Sequence, residues 1–172
     1  MPVVRLAVAA CVLLVLAACG TGPTTGQARG QSLPTPPQAA DYLTRDGVTR
    51  SLGNGITLSV SAPTPFTPTE EAYPRAARAV AFELVIHNKG DIAYRPAQLS
   101  FVATVDGLAT DQVVDSTQGY SGVTGTVDEV LPNQSSRFAV AFAVSGKPCA
   151  VWVAVRPTSA ATSTIPIFDG TL

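Results

Sequence analysis

The sequence is short of the residues on which most catalysis and metal binding depend. It has one histidine, one tryptophan, one methionine and three cysteines in 172 residues, and charged side chains make up only 13% of it. Eleven Lys and Arg against twelve Asp and Glu, scattered along the chain, leave a formal charge of −1. A nucleic-acid partner would call for a clustered basic face, so this balance argues against one. With no paired cysteines and no histidine cluster, there is no zinc pattern. No glycine-rich phosphate loop follows a strand and opens a helix. A Ser-His-Asp hydrolase would have to use His87, and no Gly-x-Ser-x-Gly elbow accompanies it. His87 reads more simply as a surface or turn residue at a strand end. No cofactor and no metal are expected. Asp106, Asp111, Asp115, Asp128 and Glu129 gather in loops that could offer oxygen ligands to calcium, but their spacing matches no EF-hand and suits solvated loop residues equally well.

A long apolar run is also missing, except at the start. Residues 6–16 are almost all Ala, Val and Leu behind Arg5, about eleven residues where a permanent membrane helix needs about twenty. That is the length of a secretory signal core. It ends in Leu16-Ala17-Ala18-Cys19, which resembles a bacterial lipobox; Val8-Ala9-Ala10-Cys11 fits the same pattern but leaves too short a core behind Arg5. The resemblance implies cleavage between Ala18 and Cys19 and a diacylglyceryl thioether on Cys19. Two acyl chains, at ~0.8 kcal/mol per buried methylene, make a stable anchor where one would be marginal. An ordinary secreted protein cut near Ala18 is the alternative. The mature chain would then carry a charge of −2, since Arg5 leaves with residues 1–18. The expected location is the extracytoplasmic face of the cell membrane.

Residues 19–47 read as the lipidated cysteine and a tether. They are rich in Gly, Thr, Gln and Pro, with Pro34, Pro36 and Pro37, and hold too few large apolar side chains to offset the entropy of ordering. Such a segment has a root-mean-square reach of about 30 Å and a limit near 90 Å.

Residues 48–172 form the expected domain. Ile56-Thr57-Leu58-Ser59-Val60 alternates apolar and polar, the mark of a half-buried strand. Pro63, Pro65, Pro68 and Pro74 keep the next stretch out of any central strand. Residues 78–87 give the clearest strand, with Val80, Phe82, Leu84 and Ile86 on one face and Ala79, Ala81, Glu83 and His87 on the other. Residues 99–105 follow, closed by the turn pair Asp106-Gly107. Weaker strands are expected over 111–114 and 125–131. Phe138, Val140, Phe142 and Val144 alternate with Ala139, Ala141 and Ala143; Gly146-Lys147-Pro148 turns the chain, and Val151, Val153 and Val155 lead back. A last strand is expected over 165–168. Seven to eight short strands with a turn every 8–12 residues, and no 3.6-residue period, predict an all-β antiparallel sandwich.

The order of these segments resembles a known family. A strand Ala81-Phe82-Glu83-Leu84-Val85-Ile86-His87-Asn88 is followed by one ending in Asp106-Gly107. After a variable loop come Leu131-Pro132-Asn133-Gln134, a long strand and a final apolar one. This is similar to the immunoglobulin-like domain of Gram-positive surface and secreted proteins, the group that includes immunoprotective extracellular antigens of mycobacteria. Asn88 followed by Gly90 fits its pattern, and Asn133 stands where that family commonly has Gly, a position whose backbone Asn tolerates. The resemblance covers about residues 48–160 and implies an immunoglobulin-like sandwich with no catalytic residues to transfer. Together with the Ala-rich composition and the lipobox, it suits an actinobacterial lipoprotein.

Two features bear on partners. If the chain turns back at Gly146-Lys147, Ala143 lies opposite Ala150, Ala141 opposite Trp152 and Ala139 opposite Ala154. The outward face would then be flat and apolar, centred on Trp152 and the alanines Ala139, Ala141 and Ala143 and flanked by Arg137 and Arg156. Such a patch either binds a partner or is covered by the tether's end or the tail around Ile165. The expected function is a non-catalytic module that binds an envelope or host protein. An alternative is a carrier or sensor of an apolar envelope molecule, held among Phe82, Phe101, Phe138 and Phe142. Cys149, with Cys11 cleaved and Cys19 lipidated, has no partner in the chain; it is either a buried thiol or a link between chains.

Overall fold

A computed structural model describes residues 47–172 of the 172-residue chain. The expected signal segment, the Ala18–Cys19 cleavage site and all but the last residue of the tether lie outside the described residues. Within them the fold is an all-β sandwich of ten strands, and no helix is long and apolar enough to cross a membrane. One sheet contains β1 (Val48–Gly53), β2 (Ile56–Val60), β3 (Thr64–Phe66), β4 (Ala79–Asn88), β7 (Gln112–Val113) and β8 (Ser135–Ala143). Its order is β1-β2-β4-β8-β7, with β3 also on β4. The other sheet contains β5 (Ser100–Val105), β6 (Leu108–Ala109), β9 (Ala150–Arg156) and β10 (Ile165–Thr171), in the order β10-β9-β5-β6. Every pairing is antiparallel.

β4 is the central strand. β2 and β3 share one of its edges and β8 runs along the other, from Ala79↔Ala143 to His87↔Ser135. Its large apolar residues Val80, Phe82, Leu84 and Ile86 are fully buried. They meet Phe138, Val140 and Phe142 of β8, and Val151, Val153 and Val155 of β9 across the sandwich. The Phe82 ring lies 5.2 Å from Phe168 and 6.4 Å from Phe142. Each such ring removed from water is worth roughly 1.5–3 kcal/mol. The bulge between Pro166 and Phe168 lets two consecutive residues, Ile167 and Phe168, both face inward.

The sequence expectations differ from the structure in the strand count, ten rather than seven to eight, and fail in two segments. Residues 125–131 are not a strand: Val130 makes an isolated bridge to Tyr94, preceded by a single 3-10 turn at Gly122–Gly125. Thr126 N–H and Oγ1 both donate back to Val123 O, so the segment begins by closing a turn rather than joining a ladder. The second failure is the hairpin between β8 and β9. These strands belong to different sheets, so Ala141 is not opposite Trp152, nor Ala143 opposite Ala150. The six residues 144–149 arch from one sheet to the other, and Pro148 has no N–H to give to a tight hairpin ladder. Each strand keeps its own apolar row facing the common core.

The edges on one side of the sandwich are tied by a charge. Arg50 alternates with Val48 and Leu52 on the inward side of β1, and its Nε donates to Pro166 O of β10 at 2.9 Å. Cys149 is a buried free thiol in the main core, and its backbone exchanges hydrogen bonds with Leu172. A thiol reagent should therefore label Cys149 only after denaturant opens the domain; rapid labelling of the native chain would contradict this packing.

At the far end of β4, Asn88 is buried. Its Nδ2 donates to Ile92 O and Val130 O at 2.8 Å each, and its Oδ1 accepts Gly90 N–H at 2.9 Å. Asn88→Ala leaves the buried Val130 O and two part-buried backbone groups without their partner and should cost about 2 kcal/mol in urea unfolding; a loss under about 0.5 kcal/mol would mean water replaces them without penalty.

Candidate functional site

The residues of the sequence-predicted patch do not come together. Trp152 and Arg156 lie on β9, and Arg137, Ala139, Ala141 and Ala143 on β8 of the other sheet, so the two groups face outward in opposite directions. Ala141 is fully buried, because the chain folds its own loops over this part of β4 and β8. Ala72, Ala79, Ala81, Ala141 and Val113 form a second small core, closed by Phe66 and Tyr120 with ring centroids 4.3 Å apart. The alanines are small because a covering layer must sit directly on the sheet. The tail around Ile165 does not make this cover, since it pairs with β9 in the other sheet; the tether's end lies outside the described residues. Trp152 remains half-buried between Thr104 and Asp169, packed against neither core. Arg137 makes an exposed 3.5 Å ion pair with Glu83.

The loop end of the sandwich offers a better surface. Two-residue geometry at Asn54 and Gly55, with φ of 50° and 77°, closes the β1–β2 hairpin. The turn packs so closely on the next loop that a Cβ on Gly90 would stand 2.3 Å from Asn54 O. Asn88 fixes residues 90–92 as described, while Tyr94 and Val130 exchange backbone bonds at 3.0 and 2.7 Å. Tyr94 Oη donates to Pro157 O at 2.8 Å, and burial pushes this phenol up to about 12. The turn leading into β8 has Gln134 N–H on Leu131 O, Pro132 at its second position and Asn133 at φ 62°, the left-handed backbone expected there.

These loops enclose two clefts that share Arg95. One, of about 610 Å³, is lined by Leu52, Ile56, Ile92 and Tyr94; the other, of about 820 Å³, by Ala97, Val123, Val127 and Leu131. Arg95 Nε and Nη2 both donate to Glu129 Oε1, at 2.9 and 2.7 Å, between them. Three large apolar side chains stay exposed here: Ile92 at 81%, Val127 at 54% and Leu131 at 47%. The strand registers place this end opposite Gly47, which packs against Val60 and Ser61 where β2 ends. Sequence reasoning passed over this surface because nothing in Ile92, Val127 or Leu131 alone marks them as neighbours.

Other candidate chemistry stays dispersed. His87 Nδ1 meets Ser135 Oγ at 2.8 Å on an exposed sheet face, and His87 lines neither of these clefts. No carboxylate hydrogen-bonds its ring among the described residues. Three of the five acidic loop residues have separate structural partners: Asp106 caps Ala150 N–H, Glu129 holds Arg95 and Asp115 ties two loops. Among the described residues no three of His, Cys, Asp and Glu converge as metal ligands. The Phe142 ring lies 6.4 Å from both Phe82 and Phe101, and neither cleft is lined by Phe82, Phe101, Phe138 or Phe142. The chain matches no protein-family model, no curated protein and no solved structure.

Asp115 pins the covering layer over the alanines. Its side chain is solvent-inaccessible but lies under a thin layer of loop, so hydrogen bonding outweighs desolvation. Thr117 Oγ1, Thr69 N–H, Thr69 Oγ1 and Gln118 Nε2 all donate to it, and they lower its pKa from 3.8 to about 2. A depressed carboxylate stabilises fully above its unfolded value, and that contribution disappears as pH falls from about 4 toward 2. Asp115→Asn should therefore lower the melting temperature at pH 7 by several degrees, with the gap closing below pH 3. A gap independent of pH would show that the charge is not what holds the loops.

Proposed function

We propose that this protein is a lipid-anchored, extracytoplasmic binding module whose contact surface is the loop end around Arg95. The single observation that carries the reading is the convergence of Ile92, Val127 and Leu131 about the Arg95–Glu129 pair. Exposed apolar side chains around a central arginine are the composition of a protein-recognition surface. The lipobox supports the anchor, with Cys19 as the acylated residue. From Cys19 the tether would enter the domain at Gly47, and the clefts at the opposite end would point away from the membrane. The resemblance to immunoglobulin-like domains of surface proteins favours the same use of end loops. Neither cleft is lined by Phe82, Phe101, Phe138 or Phe142, so the alternative of a carrier for an apolar envelope molecule draws no support from the clefts. A partner bridging two chains through Cys149 would first have to open the core.

Two experiments test this. Cys19→Ala should move the protein from the membrane fraction to the medium and abolish incorporation of labelled acyl chains; unchanged fractionation would refute the anchor. A photo-crosslinking amino acid at Val127 or Ile92 in living cells should give a discrete adduct. The same group at Leu108, exposed at the opposite end, should give none. Equal adducts from both ends, or none from Val127 and Ile92, would refute the contact surface.

A further inference from the structure

The outer face of the second sheet departs from the pattern of the first. Where the first sheet is open, β1 and β2 present Thr49, Ser51, Thr57 and Ser59, the polar surface expected of a half-solvated antiparallel sheet. On the second sheet Phe101, Ala103, Val105, Val151, Val153, Val155, Ile167 and Phe168 face the core. The residues between them stand outward in three cross-strand rows. The middle row is apolar: Pro166, Ala154 and Val102 lie side by side on β10, β9 and β5. Ala154, the smallest of the three, is fully buried at the centre. The row on one side holds Asp169, Trp152 and Thr104, and the row on the other holds Arg156 and Ser100. Asp169 and Arg156 are exposed, and neither forms an ion pair among the described residues.

We infer that this face pairs with the same face of a second copy, about a two-fold axis that crosses the strands at Ala154. The strands of the two copies then run antiparallel. Rotation about this axis returns the apolar row to itself, Ala154 upon Ala154 with Val102 and Pro166 on either side. It also exchanges the flanking rows. Trp152 and Arg156 stand two residues either side of Ala154, about 7 Å each way. Arg156 therefore comes over the partner's Trp152 and within reach of the partner's Asp169, one strand spacing away. A guanidinium on an indole face beside a carboxylate is a favoured arrangement, and the symmetry makes each such contact occur twice. Alanine at the axis lets the sheets close to the ~10 Å of packed faces. An axis along β9 would instead set Arg156 against Arg156, a like-charge pair, so the parallel arrangement fails. A patch three strands wide is below the standard interface size, so the pairing is weak and depends on concentration. The loop-end clefts of the two copies point to opposite ends and stay open, so the inference goes beyond the binding-module reading without drawing on it.

Sedimentation of the full chain carrying Cys19→Ala, from roughly 10 µM to 1 mM, tests it. The weight-average mass should rise toward twice that of one chain. Acrylamide quenching of Trp152, the only tryptophan, should fall in step. Arg156→Asp and Asp169→Arg change exposed side chains and spare the core; each should weaken association about tenfold, because each spoils two pairs. The double variant Arg156→Asp/Asp169→Arg restores opposite charges and should recover most of that loss. A chain that stays monomeric throughout overturns the inference, and so does association that neither single variant weakens. A double variant no better than the single ones overturns the antiparallel axis. Trp152 shielded equally at every concentration would mean that one chain covers its own face, which overturns the pairing as well. None of these failures touches the loop-end surface, which cross-linking at Val127 and Ile92 reads separately.

Discussion

The fold depends on the first four residues of β4 being buried on both faces. An antiparallel sandwich strand ordinarily packs one face and wets the other, but Ala79 and Ala81 are as inaccessible as Val80 and Phe82. The inner face takes large side chains because another sheet stands about 10 Å away. The outer face takes alanine because a loop lies directly on it. That cover in turn needs a pin, and Asp115 supplies it with four donors from two segments. At the other end the same strand finishes in Asn88, whose amide orders the loops that form the clefts. The covered face and the candidate site are thus organised from the two ends of one ten-residue strand.

Much of this was legible in the sequence. The alternation through Val80–Ile86 and Phe138–Val144 gives both the strands and their buried faces, and Asp106-Gly107 gives its turn, with both residues at positive φ. The left-handed backbone at Asn133 follows from its place after Pro132. The hairpin at Asn54-Gly55 carried an equally strong local signal, flanked by the alternating residues of β1 and β2. What sequence could not supply is which sheet a strand joins. β8 and β9 have the same apolar-alternating pattern whether they pair side by side or face each other across the core, so the alanine row and Trp152 seemed contiguous. Burial of Ala141 under residues 66–76 and 113–120 is likewise set by tertiary packing of loops whose few apolar residues, Phe66, Val113 and Tyr120 among them, show no periodicity.

The loop-end clefts were illegible for a related reason. Ile92, Val127 and Leu131 each sit in a segment without periodicity, and a lone exposed apolar residue is ordinary. The Tyr94–Val130 exchange and the Arg95–Glu129 pair make neighbours of residues more than thirty positions apart. Asn88 belongs to the same class: its turn chemistry with Gly90 is local, whereas its bond to Val130 is not.

Arg50 has a consequence for many copies held near one another. A guanidinium turned inward on an outermost strand keeps part of its surface in contact with water, here with one bond to Pro166 O across the gap between the sheets. Any neighbouring chain that added a strand along β1 would seal that charge from solvent and have to overcome its dehydration. At high local concentration this side of the domain therefore resists self-stacking without any change to the core. Crowding then selects which side of the molecule stays free for other contacts.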